Sequence, residues 1–268
     1  MRGRSGHLRR VGDVRGLRAA VGLLTRVPVG RAGPDQLDTT GALAWLPVVG
    51  AVIGLVVAGV YSLLVEILPG PASAALAVTL GILLTGALHE DGLADTVDAF
   101  GAGGGPEETL RILKDPTHGT YGVIALVLSI ILRVLALASL PVTTALLALP
   151  AVHALGRGGA VGLIGLIPPA TGDGLGVAHS RSGSLSGVLG GLLSAVAIGL
   201  ALLGWWGALF AAIAGAAALL IGMLALRRIS GFTGDILGAT EQMIEIGLLM
   251  VAAALASSGM LSLPWWSS

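Results

Sequence analysis

The chain has 268 residues, of which 54% are apolar and only 11% are charged, and its mean hydropathy is +0.92. Soluble domains carry about 25% charged residues, so this composition excludes a soluble globular protein and predicts an all-α, polytopic membrane bundle. The absence of cysteine excludes disulfides, thiolate metal ligands and a cysteine nucleophile.

The N-terminal segment, residues 1–31, is strongly basic and contains eight of the fourteen arginines. A signal peptide is not expected, because the apolar run from Ala19 to Leu24 is too short. Residues 13–25 fit either a basic amphipathic helix on the membrane surface or a disordered cytoplasmic anchor. We divide the chain into this cytoplasmic or interfacial segment and a single helical membrane domain, residues 32–268.

Apolar runs of about 20 residues predict membrane-spanning helices. Seven are expected, at 43–68, 72–92, 120–140, 143–167, 186–204, 205–226 and 236–262. With the N-terminus in the cytoplasm, the polar connections 91–119, 168–185 and 227–235 all become cytoplasmic. The short uncharged links then lie outside, as the positive-inside rule requires. We therefore expect the chemistry of this membrane protein to lie on the cytoplasmic face.

The most polar stretch runs from Leu88 to Gly122 and contains seven of the fifteen acidic residues. Asp91, Asp95 and Asp98 lie four and three residues apart, which places their carboxylates within about 60° on one helix face. Like charges so close repel one another, and a divalent cation removes that cost. Oxygen ligands suit Mg²⁺, Mn²⁺ or Ca²⁺. The pattern favours a metal site over the alternative, a helix end whose acids only face water.

Two arginines lie inside predicted spans, Arg133 in the third and Arg157 in the fourth. A buried arginine costs on the order of 3 kcal/mol to insert, so such residues usually face a carboxylate or a cavity. We expect Arg133 to be structural. For Arg157 a structural ion pair and an anion contact both remain open, with His153 one turn before it.

The connection 168–185 is too rich in glycine, proline and serine for a stable helix. Its Asp173, His179 and Arg181 either close over a substrate or belong to a plain solvated connector.

The last polar cluster follows Gly231. Thr233 or Asp235 can cap the next helix. Glu241 and Glu245 are one turn apart and point the same way, at the mouth of a span. Asp235 and Glu245 are therefore candidates to approach the same membrane face as the first acidic cluster, with helix capping as the alternative for Asp235.

Four segments also carry recognisable motifs. They are LLTRVPVG from Leu23, TGALHEDGLADTVDAFGAGG from Thr85, LRILKDPTHGTYG from Leu110 and GFTGDILGATEQMIE from Gly231, and the connection 168–185 adds DGLG. Together they resemble the cobalamin synthase family (adenosylcobinamide-GDP ribazoletransferase). Glu90, Leu113 and Pro116 depart from the family pattern, but none of these departures removes a carboxylate or Lys114.

The resemblance implies transfer of the adenosylcobinamide-phosphoryl group from adenosylcobinamide-GDP to α-ribazole or its 5′-phosphate, with release of GMP and a requirement for Mg²⁺. Carried onto this chain, it assigns roles to three sets of residues. The metal ligands would be Asp91, Asp95, Asp98, Asp235 and Glu245; the phosphate or substrate contacts would be Lys114, Arg26, Arg157, Arg181 and Gln242; and the base for the ribose hydroxyl would be Asp115. The lipid bilayer is an expected partner, nucleic acid is not, and a homo-oligomer is compatible with the sequence.

Three other functions fit the sequence less well. CDP-alcohol phosphotransferases also use a multi-aspartate helix, but their Ala-Arg and distal aspartate pair are not reproduced here. An ion-coupled transporter would have its sites near mid-membrane on broken helices with internal repeats, whereas here the acids crowd one face and no repeat is seen. A structural membrane subunit would leave the costly acidic cluster unexplained.

Overall fold

The structure is a computed structural model that describes residues 14–29, 39–170 and 185–261. Ten helices lie in these ranges: α1 (Val14–Leu24), α2 (Thr39–Leu64), α3 (Gly70–Thr85), α4 (Leu88–Gly101), α5 (Pro106–Ile112), α6 (Thr120–Ala138), α7 (Val142–Leu166), α8 (Leu185–Leu203), α9 (Trp206–Ile229) and α10 (Gly234–Ser257). Within the same ranges the only β-type pairing is one isolated bridge, between Pro169 and Phe232. The helical membrane bundle predicted from composition is confirmed.

The basic N-terminal segment forms a helix where the sequence left two alternatives. In α1 the buried residues are Gly16, Ala19, Ala20 and Leu24, which share one helix face. Arg15 and Arg18 are exposed on the other side. The buried face packs on the start of α2, where a Cβ added at Gly16 would lie 2.7 Å from the backbone of Gly41. The helix is therefore confirmed within residues 14–24, whereas its position on the membrane surface stays a prediction.

The centre of the bundle is α7. In its most apolar 18-residue stretch 83% of the residues are buried, compared with 28% in the corresponding stretches of α6, α8 and α9. Those three helices expose leucine, valine and isoleucine side chains that suit contact with lipid. Small residues allow the close packing that membrane helices need. A Cβ added at Gly54 of α2 would lie 2.6 Å from the carbonyl oxygen of Leu149 in α7.

One end of the bundle gathers the polar connections, and we call it the polar end. There Asp98 of α4 accepts hydrogen bonds from the backbone at the start of α6. The first turn of α10 packs against α4 beside Gly92. After α7, the backbone of Pro168 and Ala170 pairs with Phe232 in the α9–α10 turn. The connections after α3, α7 and α9 therefore lie at the same end, as the sequence predicted.

The opposite end holds the short uncharged links. Gly70, the first residue of α3, lies beside the last turn of α6, with its Cβ position 3.7 Å from the carbonyl oxygen of Ala138. The Tyr61 hydroxyl, near the end of α2, donates to the Leu140 carbonyl at 3.4 Å. The Gly204 turn has φ +59°, and the Trp205 and Trp206 rings stack with centroids 3.8 Å apart.

The predicted second span, 72–92, is wrong at its C-terminal end. The helix α3 ends at Thr85, and α4 leaves it at an angle of 89°. Gly86 and Ala87 both adopt positive φ, which terminates α3 and redirects the backbone. Within the described residues six helices are long and apolar enough to cross a membrane, or seven if the bent pair α3–α4 counts as one span. The carboxylate helix thus crosses the end of the bundle and does not continue the span.

Candidate active site at the polar end

Two glycines let α4 approach the beginning of α10. A Cβ added at Gly92 would lie 2.7 Å from the carbonyl oxygen of Asp235, and one added at Gly238 would lie 3.3 Å from the Cα of His89. The Thr233 hydroxyl accepts from the Ile236 N–H at 3.4 Å and caps α10, which confirms one of the two predicted caps. This contact brings Asp235 to the carboxylate face of α4.

Four side chains from three parts of the chain meet there, and we call them the surface cluster: Asp91, Asp95, His118 and Asp235. The imidazole Nδ1 of His118 lies 3.2 Å from Asp95, and its Nε2 lies 3.7 Å from Asp91. Burial, followed by the neighbouring charges of Asp91 and Asp235, raises the pKa of Asp95 to about 6. The side chain of Asp91 is 64% exposed and that of Asp95 is 15% exposed. The cluster is therefore open to solvent on one side.

This donor set fits a divalent cation. Carboxylates are the ligands that Mg²⁺ prefers, and Mg²⁺ keeps several coordination positions for water and substrate phosphate. The carboxylates of Asp91 and Asp95 carry like charge and have no arginine or lysine ion pair within the described residues. A bound cation would remove the repulsion between these two carboxylates. No role for His118 in this site was predicted from the sequence. The one signal that could have indicated it is its position within the LKDPTHGTYG motif.

Asp98 turns away from the other two aspartates. Its Oδ2 accepts the Gly119 N–H at 2.6 Å, and its Oδ1 accepts the Gly122 N–H at 2.8 Å. These are the free donors of the first turn of α6, so the buried Asp98 ties α4 to α6. The Cβ positions of both glycines fall against the same carboxylate. The structure thus gives Asp98 a structural partner on each oxygen, whereas it was predicted as a metal ligand.

The α5–α6 connection carries Lys114 and Asp115, and Lys114 is exposed there. The Asp115 Oδ1 accepts from the backbone N–H of Thr117 at 3.0 Å and from its hydroxyl at 2.6 Å. These hydrogen bonds hold the pKa of Asp115 below its usual value, the hydroxyl being the larger cause. A carboxylate stabilised in its charged form is a weaker base. This finding weighs against Asp115 as the predicted base.

Arg26 lies at the break between α3 and α4. Its backbone N–H donates to the Leu84 carbonyl at 2.8 Å. Its guanidinium lies against Gly86, close enough that any Cβ at position 86 would overlap it. Arg26 is exposed, so it remains available to a phosphate at the polar end. Arg181, together with Asp173 and His179, lies outside the described residues.

A second polar group lies inside the bundle, and we call it the buried cluster. Its members come from α4, α6, α7 and α10, and all are at most 7% exposed: His89, Glu90, Arg133, His153, Arg157, Glu241, Gln242 and Glu245. The Arg133 guanidinium lies 3.0 Å from Glu90 and 3.5 Å from Glu245. Arg133 is therefore structural, as the sequence predicted.

Arg157 sits at the centre of this cluster. Its Nη1 forms an ion pair with Glu241, lies 3.4 Å from Glu245, and donates to the His153 carbonyl at 3.1 Å. The sequence left a structural ion pair and an anion contact open for Arg157, and the structure shows the ion pair. Arg157 faces buried carboxylates, which leaves no phosphate contact in this arrangement.

His153, Glu241 and Glu245 offer ligand atoms within 4.8 Å of one another, the one such trio found among the described residues. The same three side chains surround Nη1 of Arg157. A guanidinium nitrogen thus occupies the position that a cation would take. The adjoining cavity measures about 20 Å³, enough for roughly one water molecule.

The acidic residues of α10 do not form one site. Asp235 and Glu245 are ten residues apart, which is about 15 Å along a helix, so they cannot hold the same ion. Glu245 belongs to the buried cluster. Gln242 lies there too, donating to Glu241 at 3.1 Å and accepting from Ser129 at 3.3 Å. The predicted joint metal site is therefore divided: Asp235 joins Asp91 and Asp95, while Glu245 does not, and Gln242 is enclosed away from solvent.

A family model described as cobalamin-5-phosphate synthase matches residues 16–253. The chain belongs to the cobalamin-5-phosphate synthase family. It is similar to the adenosylcobinamide-GDP ribazoletransferase of Bradyrhizobium diazoefficiens, with 42% identity over 89% of this chain and 93% of that protein. The proteins of the same name from Xanthobacter autotrophicus and Rhizobium etli are 39% and 40% identical, covering 84% and 87% of this chain and 89% and 94% of theirs. No solved structure matches the chain. The family resemblance is confirmed, and the chain is a membrane transferase of cobalamin synthesis.

Proposed function

We propose that the chain joins adenosylcobinamide-GDP to α-ribazole, or to its 5′-phosphate, with the aid of Mg²⁺ at the surface cluster. A ribose hydroxyl oxygen of the ribazole, one that stays free in the 5′-phosphate, forms a bond to the phosphorus that carries the cobinamide group. The bond from that phosphorus to the bridging oxygen of the pyrophosphate breaks, and GMP leaves. The products are adenosylcobalamin, or its 5′-phosphate, and GMP. The names of the three relatives above support the substrate assignment.

The observation that carries this proposal is the surface cluster itself. Three carboxylates from α4 and α10 converge at the polar end, where one side remains open to solvent. Exposed cations lie on connections at the same end, Arg26 beside the α3–α4 break and Lys114 after α5. A pyrophosphate needs both a metal and positive side chains. The bound Mg²⁺ would neutralise charge on the phosphate oxygens during the displacement.

The protein's own contribution is positioning and electrostatics. Asp91 and Asp95 would bind the cation from one face of α4, and Asp235 of α10 would add a third carboxylate. Lys114 and Arg26 would bind the non-bridging phosphate oxygens and orient the pyrophosphate in line with the ribazole hydroxyl. The ribazole hydroxyl gives up its proton as its oxygen bonds to the phosphorus. The open side of the cluster lets that proton pass to water, which agrees with the lowered pKa of Asp115.

The proposed location of this chemistry is the cytoplasmic face of the bacterial inner membrane. The polar end carries Arg15, Arg18, Arg111, Lys114 and Arg227 among its exposed residues. Positive side chains are retained on the cytoplasmic side of membrane proteins. The nucleotide product GMP would then be released into the compartment where nucleotides are used.

The test is an assay of GMP release by the full-length protein in lipid nanodiscs. Adenosylcobinamide-GDP and α-ribazole are supplied together and separately, with Mg²⁺ titrated from zero. We expect GMP release only when both substrates and Mg²⁺ are present. GMP release without α-ribazole would indicate a hydrolase, and absence of release under all conditions would contradict the proposal.

An ion-coupled transporter deserves comparison because the structure contains both a broken helix, α3–α4, and a buried cluster of charges. Such features mark ion pathways in transporters. In this protein, however, the buried carboxylates of Glu90, Glu241 and Glu245 each face an arginine. Family membership and these internal ion pairs favour the transferase.

A further inference from the structure

His118 is held in a defined place although it lies on a connection. The next residue, Gly119, donates its N–H to Asp98, and Gly122 donates to the same carboxylate three residues later. Asp98 is itself buried in α4. The backbone next to His118 is therefore anchored to the helix that carries Asp91 and Asp95.

The position of the imidazole fits that of a metal ligand. Its nitrogens lie 3.2 Å from Asp95 and 3.7 Å from Asp91. Adjacent ligands of an octahedral ion, each at about 2.1 Å, are separated by roughly 3 Å. Nδ1 of His118 and the oxygen of Asp95 that it faces thus have the spacing of adjacent ligands on one ion. The His118 side chain is 34% exposed, so an ion can reach it from the solvent.

We propose that His118 supplies a nitrogen ligand to the divalent cation of the surface cluster and shifts the preference of the site from Mg²⁺ toward Mn²⁺ and Co²⁺. This inference rests on the proposed cation site of Asp91 and Asp95. Mg²⁺ is bound almost entirely by oxygen and gains little from an imidazole, whereas transition-metal ions accept imidazole readily. His118 would therefore be a specificity-determining residue for the metal. The protein would bind Mn²⁺ more tightly than a site made only of carboxylates.

The buried trio of His153, Glu241 and Glu245 is the competing source of a nitrogen ligand. Arg157 already occupies the centre of that trio, and its positive charge opposes a second cation. The two histidines lie in different clusters, so single substitutions separate them. The matched pair is His118→Asn and His153→Asn, which remove one imidazole each.

The experiment is pulsed electron paramagnetic resonance of Mn²⁺ bound to the full-length protein in nanodiscs, which detects nitrogen directly bonded to the ion. We expect nitrogen coupling in the unsubstituted protein, its loss in His118→Asn and its retention in His153→Asn. Competition with Mg²⁺ gives a second measurement. The ratio of Mn²⁺ to Mg²⁺ affinity should fall about tenfold in His118→Asn.

The outcomes separate this inference from the proposed function. One outcome is Mn²⁺ binding that depends on Asp91 and Asp95 but shows no nitrogen coupling. That result would overturn the role of His118 and leave the carboxylate site unaffected. Coupling that persists in His118→Asn would also overturn it. Mn²⁺ binding that is unchanged in Asp91→Asn and Asp95→Asn would instead contradict the metal site of the proposed function. The comparison of the unsubstituted protein with His118→Asn decides the question even if His153→Asn does not fold.

Discussion

Asp91, Asp95 and Asp98 share one face of α4, yet their side chains meet different surroundings. Asp91 and Asp95 face His118 and solvent, whereas Asp98 is enclosed by the start of α6. Asp91 is 64% exposed, Asp95 only 15%, and Asp98 is buried. Equal spacing in the sequence therefore does not mean equal chemistry, and substitutions at the three positions should differ.

Asp91→Asn and Asp95→Asn keep the size of the side chain and remove its charge. Turnover should fall by about a hundredfold in each, and the Mg²⁺ concentration for half-maximal activity should rise, because a ligand charge is lost. GMP release across a Mg²⁺ titration provides the measurement. Glu107→Gln is the control, since Glu107 is exposed on α5. Normal turnover with an unchanged Mg²⁺ response in both aspartate variants would rule out the metal site.

Asp98→Asn should act mainly on stability. An amide keeps one acceptor oxygen but replaces the other with a donor group, which would face the N–H of Gly119 or Gly122. A buried donor left unpaired costs about 1–3 kcal/mol in unfolding free energy. Denaturant unfolding of the purified protein measures this, and Asp91→Asn should show no comparable loss. A fully stable Asp98→Asn protein with a weakened Mg²⁺ response would restore Asp98 to the metal site.

At the scale of elements, the break between α3 and α4 positions the site. Gly86 has φ +67°, which is unfavourable for residues with a side chain, and its Cβ position is filled by the Arg26 guanidinium. The break rotates α4 by 89° so that it crosses the polar end and meets α10. Without it, α4 would extend along the direction of α3, and its aspartates would not reach Asp235.

Gly86→Ala should therefore lower both stability and turnover. The positive φ costs about 1–2 kcal/mol, and displacement of Arg26 adds to it. Gly103→Ala is the matched control, since Gly103 has φ +75° but open space around its Cβ position. We expect unfolding and GMP-release measurements to show a larger loss for Gly86→Ala. Equal losses would mean that the contact with Arg26 contributes nothing.

At the scale of the whole molecule, the buried cluster joins four helices through charge. Arg157→Met removes a guanidinium from between Glu241 and Glu245 and leaves two carboxylates facing each other. Breaking a buried ion pair in this way costs about 3–5 kcal/mol. Thermal unfolding should reveal this loss. Arg26→Met is the comparison: it should weaken substrate binding, seen as a raised KM, without a similar loss of stability.

The polar end and the Gly70 end should lie on opposite sides of the membrane. The start of α3 lies beside the end of α6, and α4 binds the start of α6, so the length of α6 separates Gly70 from the surface cluster. Single cysteines are introduced as Gly70→Cys and Gly103→Cys in this cysteine-free chain. We expect an impermeant thiol reagent in the cytoplasm to label position 103 but not position 70. Labelling of both from one side would contradict the arrangement and the proposed cytoplasmic site.

Much of this architecture can be read from the sequence because it depends on local pattern. The length of the apolar runs predicted the spans, since each run must cross about 30 Å of hydrocarbon without unpaired backbone groups. The distribution of charge predicted which connections gather at one end, and the motifs identified the family. The separation of residues 1–31 from a single membrane domain and the oligomeric state stay predictions.

The division of the polar residues was decided only by tertiary structure. The family resemblance assigned Asp98, Glu245, Arg157 and Gln242 to a single site with Asp91, although a structural ion pair remained open for Arg157. Whether a carboxylate faces solvent, a helix N-terminus or a guanidinium depends on which distant segment packs against it. Asp98 is 24 residues from Gly122, and Arg157 is 88 residues from Glu245. Periodicity within one helix carries no information about such partners, because the energy of each pairing comes from helices that meet only in the folded bundle.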